Sequence, residues 1–329
     1  MALNYDNVTA IAKAKHIPFL ADNIFNSSLF FKKLREKPDV ITGGTKIVEP
    51  LLYAKGRGGW FSEWDLLDVS PKETRTAVEY DFGYAYANMT ISGQQEDKCT
   101  GDEAVLNLLD VERQTAEKTL IDQLSTAAFN NGSDAQQAHG LRKIIGVDRT
   151  LGGLDSTTYT WWDAVTASSV DSNFSTTNLT EANLTDPSSD YFLLRVMRKV
   201  WLACQHNKEH PSMVLSSDNL WNIYEEVNEG KQNFNYSAAT QFAVDAGFQV
   251  AEYRGVPLVY DEYCPGSFMF FPNLDYIKMQ IRSTRNFDLG EWQKPVNQLA
   301  RIAQITVALQ FTCNNSRYHG AIECNSAVS

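Results

Sequence analysis

The segment His206-Asn207-Lys208-Glu209-His210 has the most chemically suggestive spacing in the chain. Two histidines four apart on one helix face can grip zinc while the intervening glutamate activates water, the chemistry of a zinc hydrolase in the inverted H-x-x-E-H order. Pro211 follows directly and holds His210 away from helical geometry, so the pair loses its shared face. Histidines in a closing helical turn have a simpler role, facing the negative end of the helix dipole. The spacing predicts a helix end, with the zinc hydrolase kept as an alternative.

Other catalytic patterns are missing. Gly43-Gly44-Thr45-Lys46 lacks the spacing that wraps phosphates in backbone amides, and neither a G-x-S-x-G elbow nor a G-x-G-x-x-G fingerprint occurs. The carboxylate pairs Glu225-Glu226 and Asp261-Glu262 read as solvated faces, since nothing near them in sequence separates an acid from a base. The five cysteines, Cys99, Cys204, Cys264, Cys313 and Cys324, form an odd, dispersed set with no C-x-x-C pair. That excludes a zinc ribbon and a disulfide framework and points to a reducing compartment. No catalytic residue, metal or other cofactor is assigned, and the chain reads as a non-enzyme.

The elements that would position such groups serve another purpose. With 329 residues, 43% hydrophobic and 21% charged, the chain can bury a large core as one elaborate domain or two modest ones. A net charge of −11 opposes a surface that grips phosphate throughout. Residues 1–46 nevertheless carry seven Lys/Arg against four acids, net +3, whereas residues 61–130 carry fourteen acids against five bases, net −9. A basic arm beside an acidic body suggests self-association or mild attraction to a polyanion. The N-terminus has no apolar signal core, and no apolar run of about 18 residues occurs, so neither secretion nor a membrane span is expected.

Along the chain, the first forty-odd residues show no sustained period and read as an extended arm with one short helix near Phe25–Phe31. Ile47–Tyr53 reads as a strand, placed at an edge by Pro50. From Val78 the sequence alternates through Tyr80, Phe82, Tyr84 and Tyr86, which predicts one half-buried strand. The Gly-rich segment 56–77 between these runs carries Trp60, Phe61 and Trp64 with no core partner nearby, so it needs a surface to lie against, such as a neighbouring subunit. The capping box Thr100-Gly101-Asp102-Glu103 opens a helix that runs to Asn130-Asn131-Gly132, with Val105, Leu108, Leu109, Ala116, Leu120, Leu124 and Ala128 as its apolar stripe. Ser/Thr/Asn-rich residues 166–190, with N-x-Ser/Thr triplets at Asn173, Asn178 and Asn183, read as a surface loop. Helices follow at 188–206 and 218–227, with strands at 213–215, 249–253, 257–260, 268–272 and 300–311. The mixture lacks a βαβ rhythm and predicts an α+β fold.

In this order the elements resemble the major capsid proteins of tailed bacteriophages with the Hong Kong 97 fold, over roughly residues 40–312. The resemblance rests on Gly43–Leu51, the helix 101–131, Gly152-Gly153-Leu154-Asp155-Ser156 through Trp161-Trp162, Tyr253–Asp261 with Cys264-Pro265-Gly266, and Phe268–Leu274. Ser156 stands where the family pattern has a basic residue. The resemblance implies an N-terminal arm (1–46), an extended loop (47–99), a peripheral domain (100–208) built on a spine helix (101–131), an axial domain (209–298), and a return strand with a C-terminal tail (299–329). It implies a virion shell protein that assembles into hexamers and pentamers of an icosahedral shell in the host cytoplasm, around double-stranded DNA touched without sequence preference. It implies no membrane. The arm is not heptad-like, so a scaffold is expected to be a separate protein, alongside a portal. Trp60, Phe61 and Trp64 in the loop, and Lys32, Lys33, Arg35 and Lys37 in the arm, are the subunit-interface candidates. An encapsulin nanocompartment shell shares the implied fold and is the alternative.

Overall fold

The computed structural model describes residues 28–36, 39–98, 102–228 and 250–325. The walk starts with helix α1 (Leu29–Arg35) and strands β1 (Asp39–Ile41), β2 (Ile47–Leu52), β3 (Arg75–Tyr80) and β4 (Gly83–Ser92). A long helix α2 (Asp102–Ala128) leads to the hairpin β5 (Thr150–Leu151) and β6 (Leu154–Asp155), then β7 (Val165–Thr166) and helix α3 (Leu193–Cys204). After β8 (Val214–Ser216) come helix α4 (Asp218–Asn228), β9 (Val250–Tyr253), β10 (Val256–Tyr260), β11 (Phe268–Phe271), β12 (Ile277–Arg282), β13 (Asp288–Leu289), β14 (Ala300–Cys313) and β15 (Gly320–Glu323). Thr100 and Gly101 of the capping box, Gln249 and Cys99 lie outside the described residues, as do the side chains of Val105, Leu108 and Leu109. No described helix is long and apolar enough to cross a membrane.

Two sheets organise the core. The first centres on β14, with β4 along one side and β12 and β13 along the other, and β1 parallel to β12 at the far edge. On its inner face Ala116, Leu120 and Leu124 of α2 meet Ala87, Met89, Val307 and Ile305, a helix-spaced stripe against a period-two strand face. The second sheet runs β7-β15-β11-β8-β10-β9. In β11, Phe268 and Phe270 enter the first core while Met269 and Phe271 enter a second one beneath α3 and α4. Burial on both faces explains why this strand is an unbroken apolar run rather than an alternating one.

Three expectations change. The alternation from Val78 is two strands: Val78, Tyr80 and Phe82 point inward, then the phase flips so that Tyr84 and Tyr86 face out while Ala87 and Met89 face in. Gly83 sits at the flip, where a Cβ would lie 2.4 Å from the Ala138 nitrogen, so only glycine lets the two backbones meet. Residues 166–190 are not merely a surface loop, because Ala167, Phe174, Leu179 and Leu184 plug into the second core. Two of the three triplet asparagines link back along the segment, the Asn178 amide side chain donating to the Asn173 carbonyl at 2.8 Å and that of Asn183 to the Asn178 carbonyl at 2.7 Å. Finally, Asp261 is buried rather than solvated, and its carboxylate accepts the Ser28 hydroxyl at 2.5 Å and the Tyr263 amide at 3.1 Å. Burial raises its pKa above the usual carboxylate value.

Ser28 also caps α1, accepting from the Phe30 amide at 3.3 Å. Leu29, Phe30, Phe31 and Leu34 are all core residues, with Phe30 and Phe31 about equally close to Phe311, at 6.0 and 5.9 Å between ring centres. This part of the N-terminal stretch is therefore seated on the body and does not lie extended.

Candidate functional site

β2 and β3 pair from Ile47↔Tyr80 to Leu52↔Arg75 and lift the intervening loop off the body. Their base is clamped on one side. Ile47, Leu51, Val78 and Tyr80 are buried, and the Tyr80 hydroxyl donates to the Cys313 carbonyl at 2.8 Å. The β5–β6 turn, Gly152-Gly153, has positive φ at both residues, and the Gly152 carbonyl accepts the Glu79 amide at 3.0 Å. Tyr53 stacks on Trp161 at 5.3 Å. Lys46 and Glu79 form an exposed ion pair at 3.0 Å.

Beyond that base every residue from 55 to 73 is exposed. Trp60 is 106% exposed, Trp64 91% and Phe61 69%, and Leu66, Leu67 and Val69 join them. The sequence reading found the three aromatics but not the three aliphatics, whose signal, a run with no alternation and no core partner, was present. Inside the loop, Ser62 and Asp65 close a tight turn: the Ser62 amide donates to the Asp65 carboxylate at 2.7 Å and the Asp65 amide to the Ser62 carbonyl at 3.1 Å. Arg57 pairs with Asp68 across the loop. The Ser70 hydroxyl and amide hold the Asp68 carboxyl below its ordinary pKa. Six large apolar side chains on one exposed segment are more than a surface facing only water usually carries.

The basic candidates lie elsewhere. Lys32 and Lys33 are half-buried on α1, with Lys33 paired to Glu36 at 3.3 Å. Lys37 and the Arg35 side chain lie outside the described residues. Among the described residues, Lys32 and Lys33 have no contact with the loop of the same chain.

No protein-family model matches the sequence, and no curated protein does. Solved structures do match. A chain of the Cyanophage A-1(L) capsid asymmetric unit aligns with a TM-score of 0.64 at 15% identity, covering 87% of this chain and 90% of that one. The chain has a phage-capsid fold. The capsid of the native GTA particle gives 0.58 at 11% identity over 89% and 90% of the two chains, and Mycobacterium phage Cain gives 0.55 at 11% over 88% and 89%. The α+β architecture expected from the sequence is the one found.

Within this phage-capsid fold the zinc reading of His206–His210 fails. α3 ends at Cys204, and His206 and Glu209 instead exchange backbone hydrogen bonds at 3.0 Å each across a turn in which Asn207 has φ 58°. The histidines occupy no last helical turn, as they were expected to. The His206 ring meets Tyr318 edge-on at 5.6 Å, and His210 stacks on Trp201 at 5.8 Å, so each ring is spent on packing. No group of three or more possible ligands gathers anywhere among the described residues.

The buried polar residues are structural. Arg149 donates to the carbonyls of Lys143 at 2.7 Å, Gly146 at 2.5 Å and Trp162 at 3.3 Å, to that of Ile144, and to the Ser316 hydroxyl at 2.9 Å. Ser156, where the family pattern has a basic residue, is itself buried and accepts the Arg149 amide at 2.8 Å. One guanidinium thus draws together the carbonyls of several chain turns.

Proposed function

We propose that this chain is the structural subunit of a tailed-phage capsid, assembling with itself into hexamers and pentamers of an icosahedral shell around double-stranded DNA. The carrying observation is the loop 55–73, whose apolar side chains are left uncovered by the described residues of its own subunit, on a chain whose fold matches capsid chains over most of its length. A second copy supplies the missing cover, and a closed lattice repeats that contact many times, so contacts that are weak singly are decisive together. The arm, loop, peripheral, axial and return segments carry over with the boundaries given above. A separate scaffold, a portal and assembly in the host cytoplasm belong to the same reading.

Electron microscopy of the purified protein tests it. Closed shells large enough for a genome support the reading, small uniform shells favour an encapsulin-type compartment, and dispersed monomers at high concentration refute both.

A further inference from the structure

Asn131-Gly132 is the one Asn-Gly pair in the chain, and it lies in the turn that follows α2. A side-chain amide is most open to attack by the next backbone nitrogen when that nitrogen belongs to glycine, because no Cβ screens it. The fold itself asks for the glycine here. Its φ is 69°, and a Cβ would sit 2.8 Å from the Lys143 side chain.

The hydrogen bonds around the pair favour that attack. The Gly132 amide donates to the Asn130 Oδ1 at 3.0 Å, which polarises the N–H that must lose its proton. The Asn131 Oδ1 accepts the Ser133 amide at 3.1 Å, a donor already aimed at the oxygen on which negative charge develops as the nitrogen adds to Cγ. The leaving group is unheld. Among the described residues the Asn131 Nδ2 donates to nothing, and the residue is exposed, so water reaches it. Asn130, by contrast, is committed at both ends of its amide: Oδ1 also accepts the Gly140 amide at 2.9 Å, and Nδ2 donates to the Gln137 Oε1 at 3.0 Å and the Ala138 carbonyl at 2.9 Å. The turn thus singles out residue 131.

We infer that Asn131 is a self-modification site, deamidating in the folded chain through a cyclic imide with Gly132. The Gly132 nitrogen bonds to the Asn131 Cγ, the Cγ–Nδ2 bond breaks, and Nδ2 leaves as ammonia with the proton of the Gly132 amide. Water then opens the imide. Breaking the new C–N bond leaves aspartate, whereas breaking the original peptide bond leaves isoaspartate, with the main chain rerouted through the side-chain carbon. Either product sets a carboxylate just past the C-terminal end of α2, where the dipole disfavours it and the last turn holds no basic residue. Isoaspartate also lengthens the backbone before Gly132 and draws that amide off Asn130, the residue that organises the turn. The inference is independent of the shell reading.

Peptide mapping of the purified protein tests it. Trypsin releases residue 131 in the peptide 119–142, between Lys118 and Arg142. During incubation of the folded protein this peptide is expected to gain the mass of an amide-to-acid exchange and to accept methyl groups from an isoaspartyl methyltransferase. Conversion should be faster in mildly alkaline than in mildly acidic buffer, and at least as fast in the folded protein as in the chain unfolded by urea. Asn131→Gln, a substitution at an exposed position, should abolish it. Folded protein that keeps Asn131 intact while the unfolded chain converts overturns the inference, and so does a peptide 119–142 that converts equally in Asn131→Gln.

Discussion

His319 has no exposed surface, and its two ring nitrogens are both committed. Nδ1 accepts the Asn273 amide at 3.0 Å, so Nε2 carries the hydrogen and faces the Cys313 sulfur at 3.4 Å. Burial, with the nearby Arg149 guanidinium adding repulsion, pushes the imidazole pKa down to about 3. The same burial pushes the Cys313 thiol up to about 11. Between pH 6.5 and about 3 the unfolded chain therefore binds a proton at His319 that the folded chain refuses. Stability falls as pH drops through that window, by up to about 1.4 kcal/mol per pH unit. Asp261, with its raised pKa, acts in the opposite sense, its contribution fading as pH rises. Melts of the unassembled subunit are expected to lose stability from pH 7 to pH 5, and His319→Gln to flatten that slope while Asp261 stays common to both proteins. An equal slope in the variant would assign the acid sensitivity elsewhere.

At the level of elements, Gly83 decides how β3 becomes β4. Replacing it with Ala drives a Cβ to 2.4 Å from a backbone nitrogen and 2.9 Å from the Ala138 Cα, neither of which can swing away. Gly83→Ala is expected to cost about 1–3 kcal/mol, visible as a lower denaturant midpoint with an unchanged slope. The flip at Gly83 was invisible in sequence because the alternation Val78 to Tyr86 continues unbroken across it; tertiary contact with Ala138, not local pattern, changes the face. Strands β2, β8, β10 and β11 were legible within a residue, and the helix α2 within three, since each announces itself by its own period or its flanking turns. The segment 166–190 was misread for the opposite reason: its four buried apolar residues are spaced too far apart to form a period. The loop aromatics were legible as unpartnered, because a tryptophan in a Gly-rich, charged stretch has no local way to be buried. Trp60→Ala with Trp64→Ala tests what the loop does. Both side chains are solvent-exposed, so subunit stability should change by less than about 0.5 kcal/mol, while shell yield collapses through loss of interface anchors. Normal shells at normal yield would show that the loop is no subunit contact.

On the scale of the whole molecule, the two cores meet at the second sheet, so the body is braced and the loop is the large apolar exception. Charge is distributed along the same division. The N-terminal stretch 1–46 is net +3 and the segment 61–130, which contains the loop's descending limb and all of α2, is net −9. Helix α1 is anchored by Phe30 and Phe31, so changing its lysines leaves its seat intact. The Lys33–Glu36 pair, at the surface with Lys33 half-buried, contributes at most about 1 kcal/mol to the subunit itself. Replacing Lys32, Lys33, Arg35 and Lys37 with Gln should therefore barely move the melting temperature. If these charges act between copies, assembly of the variant, followed by light scattering without DNA, is slower than the parent's at low salt. The two converge as ionic strength rises past physiological, where the screening length drops below about 8 Å. A DNA-binding role makes a different signature: so few phosphate contacts give a shallow salt dependence, and the defect appears only when nucleic acid is present. A variant that assembles like its parent at every salt concentration yet packages DNA poorly assigns these residues to nucleic acid and removes them from the subunit contact.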